Sequence, residues 1–142
     1  GYKYTNKDNV TIINTFNGVT VIDPYAYENF SSLLNITIPS SVKRIRARAF
    51  HDCGKLKNVT IINNPNLYIE PTAFSNCNKL KSIVIKFDLL YLTSVNIETE
   101  TICNSTIMKS IQHIKDNLYP LLKIIINKNK NKVEINCNEN NL

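Results

Sequence analysis

The sequence has little glycine: 3 in 142 residues, at positions 1, 18 and 54. So few and so scattered, they cannot form the glycine-rich turn whose backbone N–H groups cradle a phosphate. The 4 cysteines include no C-x-x-C pair and the 2 histidines lie far apart, so the spacing of a structural zinc site is missing and neither metal nor cofactor is expected. No run of about 18 apolar residues occurs, so no helical membrane span is expected. The opening residues lack the apolar core of a signal peptide. The chain opens on Gly rather than Met, which leads us to expect a processed or excised piece. Cys53, two residues after His51, falls in a core column, and neither His51 nor His113 has the Cys or Ser-and-acid company that a nucleophilic site needs, so the chain reads as not an enzyme.

What is present is enough for one folded domain. Apolar residues make up 43% of the chain, and a chain of this length buries roughly two thirds of its unfolded surface. The net charge of +6 favours anionic partners. The abundance of Asn, Ile and Lys also fits AT-rich coding, which would raise the charge without any ligand.

Three segments can be laid over one another. Ala26-Tyr27, Ala49-Phe50 and Ala73-Phe74 mark them, with the alanines 23 and then 24 residues apart. Four residues before each alanine stands Ile22, Ile45 or Ile69, and four after it Phe30, Cys53 or Cys77. Further columns hold Leu33, Leu56 and Leu80; Ile36, Val59 and Ile83; and Ile38, Ile61 and Ile85. A fixed period of this length with apolar residues at set offsets is the pattern of a leucine-rich solenoid. The last columns alternate apolar and polar, as a strand does, and apolar residues at i and i+4 around the alanine suit one helical turn. The fold class expected is therefore an α/β repeat solenoid.

The flanks are less regular. Asn9 to Ile13 resembles Asn58 to Ile62 and reads as a degenerate or capping repeat. Residues 1–18 are thus expected to be an N-terminal cap, 19–87 the repeats, and 88–142 a helix-plus-hairpin C-terminal cap or an appended module. Within the last part, Ile107, Ile111, Ile114 and Leu118 give an amphipathic helix from about Thr99 to Asn117, ended near Pro120. A strand is expected over Leu121–Ile126, a polar loop over Asn127–Lys132, and an edge strand carrying Val133, Ile135 and Cys137.

Leu33-Leu-Asn-Ile-Thr-Ile-Pro-Ser-Ser-Val-Lys-Arg-Ile-Arg-Ala-Arg-Ala-Phe-His-Asp-Cys53 resembles the repeat of the BspA-type leucine-rich repeat family, over residues of about 9 to 87. The resemblance implies a right-handed solenoid with a sheet along one face. It further implies a surface or secreted protein used for adhesion and protein interaction, without catalytic residues. Departures are Asp23, Arg46 and Glu70 where a glycine is frequent, Pro39 as the one proline kept after the strand, and Tyr27 and Phe30 in the first copy.

Two surfaces are candidates for binding. On the sheet face, expected to be concave, the exposed positions are Leu34, Asn35, Thr37, Lys57, Asn58, Thr60, Lys81, Ser82 and Val84, a mixed polar surface fit for protein or glycan. The second is basic. Lys43, Arg44, Arg46 and Arg48 flank the core residue Ile45, and Lys55 and Lys57 recur in register as Lys79 and Lys81. Such an array suits an acidic polysaccharide or is a solvated face; no aromatic is interleaved with it, which disfavours single-stranded nucleic acid. Cys53 and Cys77 share a core column and read as buried thiols, with a ladder disulfide as the alternative. Cys103 and Cys137 are the candidate disulfide pair. Sequons at Asn35 and Asn58 would place any glycans on the sheet face.

The reading is thus a non-catalytic binding module at the cell surface or outside the cell, contacting protein or glycan. The alternative is an intracellular, cytoplasmic protein that binds polyanion or nucleic acid through Lys43–Arg48.

Overall fold

The computed structural model describes residues 7–86, 102–128 and 131–137. A 3-10 turn over Lys7–Asn9 precedes β1 (Ile12–Ile13), and β2 (Val21–Ile22), β3 (Asn35–Ile38), β4 (Arg44–Ile45), β5 (Asn58–Ile62), β6 (Tyr68–Ile69) and β7 (Ser82–Lys86) follow. Then come helix α1 (Thr106–Asn117), β8 (Lys123–Lys128) and β9 (Asn131–Glu134). Each repeat supplies one short strand, a set of tight turns around the alanine, and one long strand. The chain winds into a β-solenoid of about three turns.

Stacking puts like strands side by side. Among the described residues the long strands form a six-stranded sheet in the order β1-β3-β5-β7-β8-β9, and the short ones a three-stranded sheet β2-β4-β6. Every neighbouring pair is parallel except β8 with β9. The register is that of the repeat: Asn35 faces Asn58 and Asn58 faces Ser82, while Ile36, Val59 and Ile83 form the next row.

The apolar columns make the core. All fifteen residues named above at the five repeat offsets are buried. Alternation in the long strands sends Ile36, Ile38, Val59, Ile61, Ile83 and Ile85 inward and leaves the intervening residues on the outer face. The aromatics after the alanines stack, with ring centroids 5.1 Å apart for Tyr27–Phe50 and again for Phe50–Phe74. Phe16 closes one end edge-on against Tyr27 at 5.7 Å.

Around the alanine the backbone makes linked tight turns instead of the expected helical turn. Ala49 N–H bonds Arg46 O and His51 N–H bonds Arg48 O, each spanning three residues. Asn29, Asp52 and Asn76, one repeat apart, all have positive φ near 60°. Asn and Asp tolerate this left-handed conformation best among residues with a side chain, which explains the column.

The first strand corrects the expected alignment. Ile12, not Asn9, lies beside Asn35 and hence in the row of Asn58, a shift of three residues. Burial decides it: Ile13 joins the core row of Ile36, and Ile12 is left exposed.

In the C-terminal part α1 begins at Thr106 because Ser105 caps it, its hydroxyl accepting from Met108 N–H. The expected start from Thr99 and the expected boundary near 87–88 lie outside the described residues. Ile107, Met108, Ile111 and Ile114 turn into the same core as the repeats. β8 starts at Lys123, not Leu121, since Leu122 N–H turns back to Tyr119 O. The expected loop over 127–132 is shorter, for strand pairing runs to Lys128 and resumes at Asn131. β9 ends at Glu134, short of Ile135 and Cys137.

Candidate functional site

The outer face of the long-strand sheet is built by the repeat itself. Leu34, Asn35, Thr37, Asn58, Thr60, Ser82 and Val84 lie on it half-buried, in rows one strand apart, with Lys57 and Lys81 exposed at its margin. One row is hydrogen-bonded across strands: Asn58 Nδ2 donates to Asn35 Oδ1 at 3.0 Å, and Ser82 Oγ donates to Asn58 Oδ1 at 2.8 Å. Lys123 of β8 continues this row and Ile125 the neighbouring row of Thr37, Thr60 and Val84. These two extensions were missed in the sequence because β8 lacks the repeat's alanine-aromatic marker.

The face runs into a groove. A cavity of about 670 Å³ opens between Asn58, Ser82 and Lys123 on the sheet and Tyr119, Leu121 and Leu122 in the turn after α1. Leu121, on its wall, is 92% exposed. A second cavity of about 340 Å³ lies between Tyr68 and Ile69 of β6 and Lys109, Ser110 and His113 of α1.

The basic run has internal partners. Lys43, Arg44, Arg46 and Arg48 are all exposed, as are Lys55 and Lys79. Glu70, one repeat on, holds Arg44 Nη2 at 3.1 Å and Arg46 Nε at 3.9 Å. Lys43 Nζ donates to Ser40 O at 2.7 Å. Arg48 Nη1 donates to Tyr25 Oη at 2.9 Å, which raises its already high pKa. Aromatics absent from the run itself arrive from adjacent turns: the Arg44 guanidinium lies 5.2 Å from the Tyr68 ring centre. The run is a cross-turn network, with part of its charge compensated.

Cys103 and Cys137 are joined by a disulfide that ties the segment before α1 to the residues after β9. Cys53 and Cys77 are free, buried thiols, and each donates to a carbonyl of the preceding repeat. Hydrogen bonding with Cys53 together with burial pushes the Cys77 thiol up, so it stays protonated and inert. Burial pushes the Tyr119 phenol up to about 12. His113 is exposed, with Asn117 Nδ2 3.3 Å from its Nδ1. His51 is half-buried: its Nδ1 lies 2.6 Å from Ser75 Oγ and its Nε2 3.3 Å from Asp52 Oδ2.

No helix among the described residues is long and apolar enough to cross a membrane. No curated protein matches the chain, and no solved structure does. The BspA-type leucine-rich repeat region matches residues 1–125 in six copies, well beyond the 9–87 over which the sequence pattern is plain. Leucine-rich repeat domains of this kind are generally non-catalytic modules of protein interaction, which agrees with a surface built of ladders. The chain, a repeat solenoid whose core rows and register follow this repeat, belongs to the BspA-type leucine-rich repeat family.

Proposed function

We propose that this chain is a non-catalytic binding module that contacts a protein partner through the outer face of the long-strand sheet, in a surface or secreted setting where adhesion is the use. A glycan is the other ligand the polar rows fit. The observation that carries this reading is the continuity of the Asn35–Asn58–Ser82 row with the groove walled by Tyr119 and Leu121. Side chains already held by neighbouring strands lose little freedom on binding, and an exposed leucine beside a tyrosine supplies the apolar anchor that interfaces use. Lys57, Lys81 and Lys123 would rim it with positive charge. The Cys103–Cys137 disulfide supports an oxidising compartment.

The same reading keeps residues 1–18 and 88–142 as caps of the repeats at 19–87. Ser110 Oγ accepts from Ile69 N–H, and Ile107 N–H donates to Pro65 O, so α1 serves the last short strand as a further repeat would.

The test is binding to an immobilised panel of extracellular matrix proteins and of neutral and sulfated glycans. Wild type is compared with Leu121→Asp and Thr60→Arg. Capture by a protein, lost in both variants at unchanged melting temperature, is the expected result. Capture that ignores both substitutions, or none at all, would overturn the sheet-face reading.

The alternative, a polyanion- or nucleic-acid-binding protein of the cell interior, draws on Lys43, Arg44, Arg46 and Arg48 beside Tyr25 and Tyr68. Retention on heparin and duplex DNA across a salt series, with those four changed to Ser, tests it. Retention on DNA at near-physiological salt that falls steeply as salt rises, and that is lost in the quadruple variant, would favour it over the sheet face.

A further inference from the structure

The geometry points to a divalent-metal site of the zinc class on the turn ridge, formed by Glu28, His51 and Asp52. One ligand atom from each lies within 4.8 Å of the other two, and all three residues are half-buried. The pair whose separation is fixed fits a metal: His51 Nε2 and Asp52 Oδ2 are 3.3 Å apart. Metal–nitrogen and metal–oxygen bonds of about 2.0–2.1 Å at a tetrahedral centre set ligand atoms about 3.3–3.4 Å apart. The ion would bridge the two side chains without drawing them closer.

Residues outside the triad orient it. Ser75 Oγ, one repeat on, lies 2.6 Å from His51 Nδ1. With the ring proton on Nδ1 donated to that hydroxyl, the Nε2 lone pair is left for a metal, the arrangement by which outer residues fix a ligating imidazole. Asn76 Nδ2 donates to Asp52 Oδ1 at 2.8 Å, which leaves Oδ2 as the free oxygen. Glu28 enters from the preceding turn, which is locked in place where Asn29 N–H donates to His51 O at 2.9 Å. One imidazole and two carboxylates suit zinc, cobalt or nickel over calcium or magnesium, which take oxygen donors. A fourth position would take water or a partner's side chain. No spacing motif announces the site, because Glu28 and His51 share a repeat column and meet only when the turns stack.

The experiment titrates untagged protein with zinc by calorimetry, and with cobalt by visible absorption. The variants are chosen from what the repeat already accepts. Serine occupies the column of His51 at Ser75, and asparagine that of Asp52 at Asn29 and Asn76, so His51→Ser and Asp52→Asn keep the fold; a thermal melt verifies this. The expected result is one zinc per chain with micromolar affinity and four- or five-coordinate cobalt bands. His51→Ser abolishes both, Asp52→Asn and Glu28→Gln weaken binding at least tenfold, and Ser75→Ala weakens it roughly tenfold. His113→Asn changes nothing. Absence of binding at submillimolar zinc, binding that survives His51→Ser, or binding lost with His113 would each overturn the assignment.

Discussion

The hydroxyl of Tyr119 donates to the backbone carbonyl of Phe74. Earlier in the stack, the equivalent carbonyl is served by a cysteine of the next repeat: Cys53 Sγ reaches Tyr27 O at 3.3 Å, and Cys77 Sγ reaches Phe50 O at 3.2 Å. At Phe74 a tyrosine 45 residues along the chain takes the thiol's place. The Tyr119 hydroxyl oxygen also accepts from Cys77 N–H at 2.9 Å, so one side chain satisfies two groups of the turn column.

Tyr119→Phe should therefore destabilise the domain by about 1–2 kcal/mol, the effect of leaving a largely buried donor and acceptor unpaired. Urea unfolding measures it. The phenol also links stability to pH. Its folded pKa, about 12, lies above the ordinary value near 10, so the neutral form is favoured by folding. Its contribution is full below pH 10 and is lost as pH rises through about 12. Tyr119→Phe should flatten the alkaline fall in stability over that window; equal slopes for the two proteins would show that the phenol is not the coupled group.

The core was legible in the sequence because each buried row recurs once per repeat, and Ile22, Ile45 and Ile69 need no coordinates to be matched. What recurs only once was not. Ser110 and Tyr119 meet backbone groups of the last repeat from outside the pattern, and nothing in their neighbours marks them. Ser105 is a helix cap that the apolar spacing of Ile107, Ile111 and Ile114 cannot locate. The alternating Asn and Lys of 127–132 look like a loop, yet a strand edge accepts them, since backbone pairing to Lys128 ignores side-chain polarity. On the candidate face the Asn35–Asn58–Ser82 row follows from the repeat. The groove beside it depends on where the turn after α1 lies, and no local pattern encodes that. Glu70 stands where the family repeat often has glycine; its role with Arg44 and Arg46 appears only across turns.

Ile45→Asp should unfold the domain. Ile45 is fully buried at the centre of the short-strand sheet, between Ile22 and Ile69. An unpaired carboxylate there has no partner and no water, and the penalty of about 4 kcal/mol or more is a large part of a domain's stability. Val21→Ser, on the exposed side of the neighbouring strand, should change stability by about 0.5 kcal/mol or less. Circular dichroism melts of the two proteins check the pair, and similar melts would show the strand register to be wrong.

Reduction of Cys103–Cys137 should lower stability by about 3–4 kcal/mol, the entropy of opening a loop whose ends are 34 residues apart. Cys103→Ser with Cys137→Ser should reproduce it. In the native oxidised protein a thiol reagent should find almost nothing, because Cys53 and Cys77 are buried; denaturation should release two thiols. Four thiols in protein folded under oxidising conditions would remove the disulfide and with it the main support for a life outside the cell.

Glu70→Gln separates a binding face from a solvated one. Glu70 is mostly buried, and one of its oxygens accepts from Ala47 N–H while the other holds Arg44 and Arg46. Glutamine keeps an acceptor for the backbone and removes the charge, so the turn should persist and stability should fall by about 1 kcal/mol or less. Two guanidiniums are then left without their carboxylate, and the net charge rises from +6 by one. If sulfated polymers bind at Lys43–Arg48, the variant should elute from heparin at higher salt than wild type, and the quadruple Ser protein at lower salt. If the network only braces neighbouring turns, the Glu70→Gln elution shift should match that of a charge removed elsewhere, such as Glu134→Gln. That comparison matters because a rise in net charge alone strengthens retention, and only a shift specific to Glu70 assigns the ligand to this face.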